Sequence, residues 1–121
     1  MKYSSSFTHD VKIGMSAEDW VNELFNGKSK KIEVKVDYIA HRTGKVFIEY
    51  SSRGKPSGIA TTDADYWIYK IEATNSAIIL EVNKLKEKLR RYYRNDVYIK
   101  NGGDDDTSIG FLVPIVKLLK I

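Results

Sequence analysis

The feature of this chain that most constrains its fold is an alternation of apolar and charged residues between Lys31 and Ala40. The apolar positions are Ile32, Val34 and Val36. The charged positions between them are Glu33, Lys35 and Asp37. Because successive side chains of a strand point to opposite faces, the segment predicts a strand with one apolar and one charged face. Burying three charges is costly, so the charged face is expected either to contact solvent or to line a functional cleft.

A second strand is predicted at Val46 to Tyr50, directly after the turn-forming pair Thr43-Gly44. So short a connection favours an antiparallel hairpin, in which Asp37 and Glu49 would occupy neighbouring positions. Two carboxylates suit Mg²⁺ or Mn²⁺, which completes its shell with water and phosphate oxygens and activates water for phosphodiester hydrolysis. Lys35, on the same strand face as Asp37, would support that water or the developing charge. Paired acids are also common on solvated strand ends, so a purely structural role stays open.

The rest of the pattern interleaves strands with helices, which is typical of a mixed α/β or α+β domain. Ser16 is expected to cap a first helix, which Gly27 ends. Further strands are predicted at Tyr66 to Ile71, Ala77 to Val82, Val97 to Lys100 and Gly110 to Val113. Further helices are predicted at Asn83 to Tyr93 and after Pro114. A length of 121 residues suits a single domain, with an irregular segment at residues 1–14.

The composition excludes several kinds of site and favours a polyanionic partner. The chain has no cysteine, which rules out disulfides, thiolate metal sites and a cysteine nucleophile. A net charge of +4 and a pI of about 9.2 favour a partner such as nucleic acid. Met1 to Asp10 has no signal-peptide pattern, and the apolar stretch Ile109 to Leu119 is too short to span a bilayer. We therefore expect a cytoplasmic protein without a membrane partner.

Two basic segments are candidates for contacts with nucleic acid. The loop from Ser51 to Gly58 offers cations and a hydroxyl for phosphates, at Arg53, Lys55 and Ser57. The helix Asn83 to Tyr93 and its end carry further cations beside tyrosines that could stack on bases, at Arg90, Arg91 and Arg94. An ordinary surface loop and a solvated helix face are the alternatives.

The leading helix, the acid-bearing strand, the hairpin and the second acid together resemble the core of the PD-(D/E)XK, or restriction-endonuclease-like, nucleases. The segment Lys35 to Ser51, KVDYIAHRTGKVFIEYS, is similar in length and layout to the hairpin of archaeal Holliday-junction resolvases. The segment Gly54 to Trp67, GKPSGIATTDADYW, resembles part of small phage-type proteins in that superfamily, as does Gly110 to Pro114.

This resemblance implies a central mixed sheet with a catalytic hairpin, flanked by helices. It implies a divalent-metal-dependent endonuclease that hydrolyses DNA phosphodiester bonds, with RNA left open, and a phage or viral context. Asp37 and Glu49 match the two metal-binding acids, and Glu18 matches an acid that some members contribute from the first helix. Mg²⁺ or Mn²⁺ would be the cofactor, and analogy with the resolvases adds a homodimer.

One position departs from the family pattern. The family has a lysine two residues after the second acid, where this chain has Ser51. Either Lys35 or Lys55 would take over the role of that lysine, or the protein would bind nucleic acid without cutting it. A second alignment takes Glu33-Val34-Lys35 as the Glu-x-Lys motif, with a partner acid near Asp19. A small structural or regulatory protein with solvated acids is the third interpretation.

Overall fold

The computed structural model describes residues 17–26 and 30–120. The chain divides into two compact units, Met1–Lys30 and Lys31–Ile121. Across the described residues there are four helices and two sheets, so the mixed α and β character expected from the sequence is confirmed. None of these described helices is long and apolar enough to cross a membrane.

The described part of the first unit is helix α1 (Ala17–Asn26). Acidic residues lie in its first turn, where the helix dipole favours negative charge. Of its apolar side chains, Leu24 is buried, whereas Phe25 is 62% exposed. The predicted cap Ser16, the closing Gly27 and the irregular segment 1–14 lie outside the described residues.

The second unit contains the remaining elements. In chain order these are β1 (Ile32–Asp37), α2 (Ala40–Thr43), β2 (Lys45–Ser52), β3 (Lys55–Pro56), β4 (Tyr66–Ile71), β5 (Ser76–Glu81), α3 (Val82–Arg94), β6 (Ile99–Gly102), β7 (Ser108–Pro114) and α4 (Ile115–Leu118). Single 3-10 turns lie at Gly58–Ala60 and Asp104–Asp106. The strand and helix boundaries predicted from Tyr66 onward agree with these within a few residues.

The strands form a mixed sheet and an antiparallel sheet. The mixed sheet has the order β1-β4-β5, with β1 parallel to β4 and β4 antiparallel to β5. The antiparallel sheet has the order β3-β2-β7-β6. The single central sheet that the sequence led us to expect is therefore wrong for the described strands.

The predicted hairpin between β1 and β2 is also wrong. β1 pairs with β4, whereas β2 pairs with β7 and β3, so Asp37 and Glu49 lie in different sheets. The cause lies directly after β1, where Oδ1 of Asp37 accepts hydrogen bonds from the backbone N–H groups of Ile39 and Ala40, at 3.0 and 2.7 Å. These bonds turn the chain out of the strand and into α2, which Gly44 ends in the left-handed conformation with φ 68°.

The core of the second unit lies where the inner faces of the strands meet α3. β2 behaves as its alternation predicts, since Val46 and Ile48 are completely buried. Trp67 is 1% exposed and belongs to the same core. α3 contributes Val82, Leu85 and Leu89. This core fixes β2 and β4 close to one another, and the candidate site is built on both strands.

Candidate functional site

The charged face of β1 is turned toward the inner side of the mixed sheet. In the parallel register, Glu33, Lys35 and Asp37 are the partners of Trp67, Tyr69 and Ile71, which are all buried. The apolar face points outward, and its side chains are 39–57% exposed at Ile32, Val34 and Val36. The charged face therefore lies on the core side of the sheet and keeps partial contact with solvent, and the region beside it is termed the cleft.

Glu33 and Lys35 form the first pair in this cleft. One oxygen of Glu33 accepts a hydrogen bond of 2.8 Å from the Thr62 hydroxyl, and the other lies 3.0 Å from the Lys35 ammonium. Burial works against the charge of Glu33, but the Thr62 hydroxyl and Lys35 outweigh it and lower the pKa of this carboxyl. Lys35 also lies 5.5 Å from the ring centroid of Trp67. Since both side chains remain partly exposed, at 34% and 44%, the pair is accessible from solvent.

Tyr69 connects this cleft to β2. Its hydroxyl donates a 2.7 Å hydrogen bond to the carbonyl oxygen of Phe47, two residues before Glu49. Burial raises the pKa of the Tyr69 phenol, and the carboxylates of Asp37 and Glu33 raise it further. The phenol is therefore neutral at physiological pH and remains a hydrogen-bond donor, which links β4 to β2.

Asp37 has a structural role that involves one of its two carboxylate oxygens. Its Oδ1 accepts both amide hydrogen bonds that start α2. Within the described residues, its Oδ2 accepts no hydrogen bond. The carboxylate is held in one orientation by the two amides, and one oxygen is left for another ligand.

Glu49 is held by two serine hydroxyls. Ser57 donates to one carboxylate oxygen at 2.8 Å, and Ser108 donates to the other at 2.7 Å. Ser108 is 5% exposed, so its hydroxyl depends on this bond. Gly58 packs directly against the same residue, because a Cβ at that position would lie 2.3 Å from the Glu49 carbonyl oxygen. The chain thus fixes both the backbone and the carboxylate of Glu49.

Asp37 and Glu49, the predicted metal ligands, lie in different sheets and share no hydrogen-bond partner among the described residues. Within residues 17–26 and 30–120, the His, Cys, Asp and Glu side chains form no group of three or more that could hold one metal ion. Mg²⁺ commonly takes only one or two carboxylates and completes its shell with water and phosphate oxygens. The carboxylates of Asp37 and Glu49 each keep oxygen lone pairs that could accept such an ion. Glu18, the third predicted ligand, is exposed on α1 in the first unit.

The predicted basic loop after Glu49 is in fact the end of β2 and a tight hairpin to β3. Ser51 is half-buried and pairs with Pro56. Arg53 and Gly54 form the two-residue turn, with φ 52° and 80°. Arg53 and Lys55 are exposed at this tip, whereas Ser57 faces Glu49 rather than solvent.

The cations predicted as nucleic-acid contacts on the helix are Arg90, Arg91 and Arg94, which all lie on α3. Arg90 lines a groove beside Tyr50 and Tyr93. Arg91 lines a different groove, together with Lys84. Arg94 is exposed at the last residue of α3. All three arginines are exposed, so their contact with nucleic acid stays a prediction.

Several residues of the cleft were not found from the sequence, namely Thr62, Tyr69 and Ser108. Thr62 and Glu33 are 29 positions apart, and Ser108 and Glu49 are 59 apart, so no local spacing connects them. Tyr69 could have been found only from the parallel register between β1 and β4. The Glu-x-Lys tripeptide Glu33-Val34-Lys35 was noted, and the structure brings its two charged residues into contact.

Comparisons of this chain with protein-family models, curated proteins and solved structures gave no match.

Proposed function

We propose that this chain is a divalent-metal-dependent endonuclease that hydrolyses phosphodiester bonds of DNA. The observation that carries the proposal is the inward charged face of β1, beside Trp67 and Tyr69. Placing charges on the inner side of a sheet while valines face outward opposes the usual burial preference. Departures of this kind are expected at functional sites, where another requirement outweighs stability.

Asp37 and Glu49 are the proposed ligands of Mg²⁺ or Mn²⁺. When bound, the ion would supply an activated water and charge stabilisation at the scissile phosphate. The amides of Ile39 and Ala40 orient the first carboxylate, and the hydroxyls of neighbouring serines orient the second. Such partners of the ligands reduce the reorganisation that the reaction requires.

Lys35 takes the role that the family gives to the lysine at the position of Ser51. Glu33 and Trp67 hold its ammonium group on the inner side of β1. A fixed positive charge in a partly desolvated cleft stabilises negative charge that develops on phosphate oxygens. Ser51 is half-buried in the β2–β3 pairing and carries no charge for this purpose.

The test is cleavage of labelled single-stranded, duplex, flap and four-way-junction DNA with Mg²⁺ or Mn²⁺. We expect Asp37→Asn and Glu49→Gln each to lower the cleavage rate on the order of a hundredfold or more, as loss of a group that acts in catalysis does. The matched control is Asp63→Asn, because Asp63 is an exposed acid that pairs with Lys31. Absence of cleavage of every substrate, or full cleavage by the double variant of Asp37 and Glu49, would contradict the proposal.

A nucleic-acid-binding protein without catalysis is the second candidate. It is favoured by Ser51 and by the hydrogen bonds that already occupy Asp37 and Glu49. In that case the same DNAs are bound with a strong salt dependence but never cut. A homodimer, which the likeness to resolvases suggests, is tested separately by sedimentation.

A further inference from the structure

A groove of about 560 Å³ lies between α3 and the β2–β3 hairpin. Its aromatic residues are Tyr50, Tyr93 and Phe111, and its cations are Lys86 and Arg90. This volume falls within the range of small-molecule sites in proteins and is large enough for a nucleotide. The groove shares no residue with the proposed catalytic cleft apart from Ser51 at its rim.

The aromatic side of the groove presents an uncharged ring to solvent. Tyr50 packs against Tyr93, with the ring centroids 5.7 Å apart, and against Phe111 at 5.0 Å. Burial raises the pKa of Tyr50, and Tyr93 and Asp96 raise it further, so its phenol is neutral at physiological pH. Tyr93 is 56% exposed. The ring of Tyr93 is therefore supported by Tyr50 and accessible to a ligand.

Among the residues that the structure describes, none forms an ion pair with the cations of this groove. Within the described residues, Arg90 makes no ion pair and no hydrogen bond, and it is exposed. Lys86 donates only to a backbone carbonyl, that of Thr62, at 3.4 Å. Gly54 also lines the groove, and its chain neighbours Arg53 and Lys55 are exposed at the tip of the hairpin. A surface that joins unpaired cations to an exposed aromatic ring is complementary to a nucleotide.

We propose that this groove binds single-stranded nucleic acid, with a base stacked on Tyr93 and the adjoining phosphates held by Arg90 and Lys86. A base can offer its face to a side chain only when it is unpaired, so the ligand is a single strand and not a duplex. The inference rests on the proposed function for the choice of nucleic acid as the polyanion. It adds the class of substrate, a nucleic acid that contains a single-stranded segment.

The experiment measures binding of a fluorescein-labelled oligothymidylate to the full chain by fluorescence anisotropy, in buffer that contains EDTA. Tyr93→Ala is expected to weaken binding on the order of tenfold, because one stacking platform is lost. Tyr93→Phe retains the ring and is expected to bind as the native chain does. Arg90→Ala is expected to reduce the slope of log affinity against log salt by about 0.7, which corresponds to one phosphate contact on a single strand.

Arg91→Ala is the matched control for Arg90→Ala. It removes the same charge from the neighbouring position of α3, but Arg91 lines the other groove. We expect Arg91→Ala to change affinity less than about twofold, since exposed charges away from the ligand are screened by salt. Equal losses for the two arginines, or no loss for Tyr93→Ala, would mean that only diffuse charge binds the strand and would overturn the proposal.

Two unlabelled competitors distinguish a single-stranded ligand from a duplex and from a free nucleotide. Unlabelled duplex of the same length is expected to compete poorly, and equal competition overturns the single-strand assignment. The second competitor is thymidine monophosphate. If it displaces the oligonucleotide with equal affinity, the groove is a site for a free nucleotide, and the single-strand assignment is overturned. Because the buffer contains no free divalent metal, strand binding that depends on Tyr93 supports the groove even if no DNA is ever cut. Cleavage that is unaffected by Tyr93→Ala would leave the nuclease proposal standing without the groove.

Discussion

β1 and β2 have similar alternating patterns, yet they direct opposite kinds of side chain to the interior. β2 places Val46 and Ile48 in the core, completely buried. β1 leaves Val34 57% exposed and directs its charged residues inward. Alternation therefore determines which residues share a face, but the neighbours of the strand determine which face is buried.

The neighbours of the two strands explain the difference. β2 has β7 along its full length and contacts the apolar residues of the core, so an apolar inner face is favoured. β1 is an edge strand, and the inner side of its sheet carries the Thr62 hydroxyl and the Trp67 ring, which Glu33 and Lys35 contact. Charges on the inner side are tolerated because partners satisfy them.

The largest effect that distinguishes the two strands is expected from truncation of apolar residues. Ile48→Ala should lower the free energy of unfolding by about 2–5 kcal/mol, because it removes a fully buried side chain and leaves a cavity. Val34→Ala should change it by less than about 0.5 kcal/mol, since that side chain is mostly exposed. Chemical denaturation of both variants measures the difference. Similar losses would mean that the outward face of β1 is covered after all.

A smaller effect is expected from the glycine that packs on Glu49. Gly58 has φ 54°, and a Cβ there would lie 2.3 Å from the Glu49 carbonyl oxygen. Gly58→Ala should therefore destabilise the fold by about 1–3 kcal/mol. Gly54 also has a positive φ, 80°, but a Cβ there would have no atom within 4 Å. Gly54→Ala is the control, because it introduces the backbone strain without the clash. Equal decreases in melting temperature in the two variants would argue against tight packing on Glu49.

The smallest of these effects is a change in acid stability through Glu33. Its folded-state pKa is lowered, so its contribution to stability is present above the unfolded-state pKa and is lost as the pH falls through the folded value. Thr62→Val removes one hydrogen bond to the carboxylate and should raise the pKa of Glu33 toward its ordinary value. An NMR titration of the side chain measures this. Thr61→Val is the control, because the Thr61 hydroxyl donates to the Gly58 carbonyl and not to an acid. An unchanged Glu33 pKa in Thr62→Val would mean that Thr62 does not stabilise the Glu33 carboxylate.

Local patterns sufficed to predict most elements but not how the strands pair. The strand at Tyr66 to Ile71 and the long helix α3 follow from residues close in sequence, and both are confirmed. The predicted hairpin was wrong because two hydrogen bonds to Asp37 redirect the chain after β1. In the sequence, Asp37 cannot be distinguished from an ordinary acid at the end of a strand.

The candidate site was predictable only in part, for the same reason. Glu33 and Lys35 could be paired from their spacing on one strand. The serine that holds Glu49, Ser108, lies on β7 and reaches it only through the pairing of β7 with β2. Long-range pairing of this kind cannot be read from the period of a short segment.

The central claim is that Asp37 and Glu49 form a site for a divalent metal ion. Titration of the native chain with Mn²⁺, followed by electron paramagnetic resonance of the free ion, tests it without any DNA substrate. We expect saturable binding that is lost in Asp37→Asn and in Glu49→Gln and is retained in the control Asp63→Asn. Binding that persists unchanged in the double variant, or no binding by the native chain, would contradict the claim.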